Sequence, residues 1–258
     1  MRVLLNLAEK LVDGYFACIP RKKPLHETAT EAKIIAHRGA HRNSHGIIEN
    51  TLAAFDMALQ TGCWGIELDI HATKDNMLVV NHDPDLKRLW KHAKDIAALT
   101  WAELHILVPQ IPTLDDIISK YAGRMHLFIE LKAPFLNEDA LVQSLHALEP
   151  GKDYHLLTLN AEVLNNLKHI PKSAILLVAS HNNVKHFCDL SISNEYGGVL
   201  GNYLLLTRQY IQQLHNAKQV CGVGFINSKN SLFRELNRQI KWIFTNQAVK
   251  ISRYLQNV

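Results

Sequence analysis

The stretch GIELDIHATKDNMLVVNHD, residues 65–83, reads as two short strands joined by a polar turn. Ionisable side chains stand where each strand ends: Glu67 and Asp69 in the first, His82 and Asp83 after the second. Apolar residues sit on successive positions in LVV, as they do in IIAH at 34–37 and AILLV at 174–178. Strands covered on both faces have this composition. Working outward, similar runs recur at 33–37, 126–131, 155–159, 174–178, 198–200, 220–226 and 241–245, which with 65–70 and 78–81 makes nine strand candidates. Windows with apolar residues at helical spacing lie between them at 50–61, 113–121, 138–148, 161–169, 207–215 and 231–239. Strand alternating with helix predicts an α/β chain of repeated βα units. The preferred closure is a (β/α)8 TIM barrel with a short insertion after the third strand, at 84–111; an open doubly wound sheet shares the local pattern. Nine candidates exceed an eight-stranded ring by one, and 198–200 is the weakest.

The 258 residues fit one domain over 1–258, with 1–32 expected to be an N-terminal packing extension that carries a helix at 3–16. The hydrophobic share of 47% excludes a disordered chain. A net charge of +4 helps attract a phosphate-bearing substrate but is too weak to imply a nucleic-acid partner. The sequence offers no apolar run long enough for a transmembrane segment, and the RKK run at 21–23 leaves open only a weak peripheral membrane contact. Cys18, Cys63, Cys188 and Cys221 are far apart in sequence and form no CxxC pair, which predicts reduced thiols and a cytoplasmic location. The oligomeric state is not legible.

Unusual polar residues recur at strand C-termini: His37 and Arg38, Glu67 and Asp69, His82 and Asp83, Glu130 and Lys132. In a parallel barrel these ends converge on one face. Glu67 and Asp69 are two apart and leave the strand on the same side. With Glu130 they make an oxygen cluster that would repel itself unless a cation neutralised it, and the hard ions Mg²⁺ or Ca²⁺ suit such ligands. His37 and His82 are candidates for acid and base, with metal ligation a competing assignment. Arg38 can offer a fork of donors to phosphate and Lys132 a point charge. His105, His146, His169 and His215 read as structural. GGVLG at 197–201 and GVG at 222–224 match neither a dinucleotide nor a P-loop fingerprint and read as turns or close packing.

The pieces HRGAHRNSHGIIENTLAAFDMAL (37–59), WGIELDI (64–70), VVNHD (79–83), IPTLDDII (111–118) and FIELK (128–132) occur in an order that resembles the glycerophosphodiester phosphodiesterase family. The resemblance implies a TIM barrel and hydrolysis of a glycerophosphodiester to glycerol 3-phosphate and an alcohol. It implies a divalent ion on Glu67, Asp69 and Glu130, with His37 and His82 as the acid/base pair. Arg38 and Lys132 would bind the phosphate, Glu49 would lie at the rim as a substrate-binding residue, and Asn50 would brace the start of the following helix. Two departures stand out. GFIN at 224–227 lacks the family's tryptophan, implying a less aromatic pocket wall, and FTN at 244–246 has asparagine where the family has aspartate. Two rival functions remain: a lyase that releases a cyclic phosphate from lysophospholipid or sphingomyelin, and a catalytically silent phosphate-ligand binding protein.

Overall fold

In the computed structural model, which describes residues 14–180, 182–256 and 258, nine strands form one sheet: β1 (Lys33–His37), β2 (Gly65–Ala72), β3 (Leu78–Val80), β4 (His126–Leu131), β5 (Tyr154–Thr158), β6 (Ile175–Ala179), β7 (Gly198–Asn202), β8 (Val220–Gly224) and β9 (Trp242–Thr245). Eight of them pair in parallel in the order β1-β9-β8-β7-β6-β5-β4-β2, and β1 pairs β2 to close the barrel. The closing register sets His37 beside Glu67.

The surplus strand is β3, and 198–200 belongs to a full barrel strand. β2 runs past its neighbours, and Ile70, His71 and Ala72 pair antiparallel with Val80, Val79 and Leu78. Thr73 N donates to Met77 O at 2.9 Å, with Asn76 at φ 63°, a conformation asparagine tolerates. His82 therefore does not crown a parallel strand, as expected. It arrives on a descending chain, where Asn81 N donates to Asp69 O at 3.0 Å. The expected insertion follows, between barrel strands β2 and β4. It has a small core of its own around Val79, Leu86, Ile96, Leu104, Val108 and Ile111.

Helices Leu52–Gln60, Leu114–Tyr121, Glu138–Leu145, Arg208–Asn216 and Lys229–Leu236 occupy expected windows, whereas 161–169 holds a 3₁₀ helix, Ala161–Asn166. Helices Val184–Asn194 and Ala248–Gln256 were not expected. The first buries Val184, Phe187, Cys188 and Ser191, a helical stripe in which cysteine and serine weaken the apolar signal. The expected helix at 3–16 lies largely outside the described residues. Asn230 of helix Lys229–Leu236 and Asn237 just past its end hold the carbonyls of Ala17 (2.7 Å) and Lys22 (2.8 Å).

Alternation along the strands stacks the interior in layers. Ile35, Phe128, Leu157, Leu176, Leu200 and Phe244 fill the middle. Two residues further along each strand stand His37, Glu130, Leu159, Val178, Asn202 and Asn246, all of which line a cavity at the C-terminal mouth. Two residues earlier in β1, β4, β5 and β9 come Lys33, His126, His155 and Trp242, which close the opposite end with Trp64. Among the described residues no helix is long and apolar enough to cross a membrane.

Candidate active site

The mouth cavity has a volume of about 320 Å³, and its charged half is built from β1, β2, β4 and the chain after β3. Glu67, Asp69 and Glu130 each present a carboxylate oxygen within 4.8 Å of the others. Oxygens bound to one ion at roughly 2.0–2.6 Å are spaced this way. Glu67 Oε1 is buried and has no hydrogen-bond partner among the described residues. A buried acceptor left without a donor is costly, and a cation would satisfy it. Burial, reinforced by the nearby Asp69 charge, raises the proton affinity of Glu67 and Glu130. Burial acts on Asp69 in the same direction, but Lys132 and Arg38 overcome it and hold that carboxyl low. The donor set therefore fits a hard divalent cation.

Arg38 sits at φ 56° and Gly39 at φ 77°. A Cβ at Gly39 would meet Ala54 backbone at 2.8 Å, so the turn after β1 needs glycine to pack on helix Leu52–Gln60. That turn aims Arg38 inward: its N donates to Glu67 Oε2 at 2.9 Å and its Nε lies 3.4 Å from Asp69. Asn50 was expected to brace the helix start. Thr51 caps the helix instead, accepting from Ala54 N, and Asn50 donates to Asp69 Oδ2 at 2.7 Å and to no cap. Lys132 lines the same cavity, with its ammonium 2.6 Å from Asp69 Oδ1 and in contact with Glu130.

The two histidines have different partners. His37 Nδ1 donates to Asn246 Oδ1 at 2.6 Å, leaving Nε2 on the cavity side, 3.7 Å from Glu67. His82 Nδ1 donates to Asp83 Oδ1 at 2.8 Å. Burial lowers the proton affinity of both, so both rings are neutral near neutral pH and retain a lone pair. Behind His82 runs a chain of ion pairs: Asp83 to Arg88 Nε (2.5 Å), Arg88 to Glu49 (2.7 Å), Glu49 to Arg38 Nη1 (2.9 Å). Burial would raise the Glu49 carboxyl, but Arg88 and Arg38 bring it to about 2. Glu49 was expected at the rim; it is only 5% exposed and clamps two guanidiniums. The sequence reading passed over Arg88, because the insertion that carries it folds back only in three dimensions.

The other half of the cavity comes from β5 to β9. Phe225, at φ 65°, places its ring 6.4 Å from that of His37. The resemblance implied a tryptophan near this position; here Phe225, next to Gly224, puts an aromatic ring on the wall.

A model of the glycerophosphoryl diester phosphodiesterase family matches residues 37–155, the half that supplies every carboxylate and histidine above. Over those residues the chain is similar to that family. A glycerophosphodiester phosphodiesterase of Bacillus altitudinis is 26% identical over 246 residues, covering 85% of this chain and 97% of its own. YhdW of Bacillus subtilis is 38% identical over 110 residues, so this chain spans only 44% of that relative's length. In fold, the chain is similar to an Oleispira antarctica phosphodiesterase solved in complex with the product sn-glycerol-3-phosphate. The TM-score is 0.71 at 24% identity, covering 87% of this chain and 96% of that one.

Proposed function

We propose that this chain hydrolyses glycerophosphodiesters to sn-glycerol 3-phosphate and an alcohol, with His37 and His82 as acid and base and a Mg²⁺ or Ca²⁺ ion held by Glu67, Asp69 and Glu130. The observation that carries the reading is that two of three mutually close carboxylates, Glu67 and Glu130, line one cavity with two imidazoles, each fixed through Nδ1, while Asp69 lies buried against them. When bound, the ion would neutralise the carboxylates and draw charge from the phosphodiester. Arg38 adds a guanidinium beside the same oxygens, and Lys132 an ammonium. With Nδ1 engaged, each Nε2 is the nitrogen free to take or give a proton: one at the attacking oxygen, the other at the leaving alkoxide. Each positioned proton transfer contributes roughly 10²–10⁴-fold. Glu49 acts from behind by holding Arg38 and, through Arg88 and Asp83, His82.

The test is a panel of glycerophosphodiesters incubated with Mg²⁺, with Ca²⁺ and with chelator, with glycerol 3-phosphate and cyclic phosphate both quantified. The expected result is chelator-sensitive release of glycerol 3-phosphate that Glu67→Ala abolishes. Turnover unchanged in folded Glu67→Ala protein would end the assignment, and a cyclic product alone would favour the lyase.

A further inference from the structure

A second cavity, of about 370 Å³, lies between the loop that follows β1 and the chain that follows β9, and Asn246 belongs to its wall as well as to that of the catalytic cavity. On the catalytic side, Asn246 Oδ1 accepts from His37 Nδ1 at 2.6 Å. A group in the second cavity therefore lies one side chain away from an imidazole of the reaction.

The lining of this cavity is cationic. His41, Arg42, Ser44, His45 and Lys250 contribute to it, and among the described residues its wall holds no carboxylate. Neither Arg42 nor Lys250 forms an ion pair among the described residues; Lys250 Nζ has only the carbonyl of Asn227, at 3.4 Å. Glu49, a carboxylate whose charge reaches His41, is already clamped by Arg38 and Arg88. Helix Ala248–Gln256, which starts at the cavity, carries no acidic residue in its first turn. Cations without counter-charges around a concavity concentrate anions in it.

The loop that presents Arg42 is also held in shape. Arg42 N donates to Ile47 O at 2.8 Å, Ile47 N returns to Arg42 O at 3.2 Å, and His45 N donates to the same carbonyl at 2.7 Å. Gly46, at φ 78°, lets the turn close. A backbone fixed in this way spends little further order when a ligand arrives.

We infer that this cavity is a subsite for a phosphate group carried by the alcohol arm of the diester, with Arg42 and Lys250 as the residues that select it. The inference rests on the proposed hydrolase reading and deepens it. In that reaction the glycerol arm carries only hydroxyls, so a second anionic group can come only from the alcohol. A guanidinium fork, an ammonium and the Ser44 hydroxyl match the several oxygens of a phosphomonoester. An alcohol bearing a quaternary ammonium would meet two like charges there.

The experiment compares a matched pair, glycerophosphoglycerol and the same diester with a phosphate on its terminal hydroxyl, in the presence of Mg²⁺ or Ca²⁺. The phosphorylated member is expected to have a kcat/KM at least about tenfold higher, carried mainly by KM. Arg42→Ala and Lys250→Ala, both at exposed positions and checked by a thermal melt, should each lower that ratio about threefold and leave glycerophosphoglycerol turnover unchanged. Raising the ionic strength to about 0.3 M should shrink the ratio in the unsubstituted protein. A ratio near one, with glycerophosphoglycerol still cleaved, overturns the inference and leaves the hydrolase standing. A preference that both variants retain in full overturns the assignment to this cavity. Activation of glycerophosphoglycerol cleavage by inorganic phosphate, lost in Arg42→Ala, would make the cavity an effector site for the free ion and overturn the substrate reading of it. Failure to cleave either diester overturns the hydrolase reading together with the inference.

Discussion

The barrel carries a pair of histidines at each end, and the two pairs have opposite fates. At the closed end, His126 Nε2 meets His155 Nδ1 at 2.7 Å, and the far nitrogen of His126 donates to Lys152 O at 2.8 Å. The His126 ring stacks on Trp64 at 4.6 Å and 14°. Both rings are buried, and burial pushes them down to about 4 and about 3, so they stay neutral. At the open end, His37 and His82 are tethered through Nδ1 alone and line a cavity. The residue type is the same, and so is the inward face of the strand for His37, His126 and His155. What differs is that His126 has both nitrogens in hydrogen bonds within the protein, whereas His37 keeps Nε2 on the cavity side. A strand histidine is chemistry only when its environment leaves one nitrogen free.

The largest expected effect comes from the open end. His37→Ala and His82→Ala should each lower kcat by roughly 10²–10⁴-fold while leaving the melting temperature within a degree or two, read from glycerol 3-phosphate release and a thermal melt. An equal loss of stability would erase the distinction between the two ends.

The closed end should answer in the opposite currency. His126→Ala removes a buried stacked ring and strands the Lys152 carbonyl, so it is expected to destabilise the fold by about 2–4 kcal/mol with kcat retained in folded protein. Urea melts with activity measured at low denaturant separate the two outcomes. The same pair gives a pH signature. Folded proton affinities below the ordinary 6.5 mean that the unfolded chain binds protons first as pH falls. The stabilisation is therefore complete above about pH 6.5 and drains away between there and about pH 3, at about 1.4 kcal/mol for each tenfold difference in proton affinity. Urea midpoints at pH 7, 6, 5 and 4.5 should fall accordingly, and His155→Phe should flatten the fall; a midpoint independent of pH would mean that the rings are not held neutral.

A smaller effect tests the tethers. Arg88→Ala leaves Asp83 and Glu49 without their shared partner and should cost roughly tenfold in kcat, less than loss of His82 itself. Full activity would show that Asp83 alone orients the imidazole.

Period-two alternation and the spacing of Glu67, Asp69, Glu130, His37 and His82 were enough, with the family's ordered motifs, to predict the barrel and to select the residues that share its mouth. Those features are legible because side-chain direction along a strand is set locally. Local sequence could not say that β3 reverses, since an apolar run of three reads the same in either direction. Nor could it find Arg88 behind Asp83, His126 against His155, or Phe225 beside His37, because each of these pairs is joined only when distant stretches of chain close on one another. Whether a given imidazole is a plug or a proton carrier depends on which of its nitrogens that closure leaves uncovered.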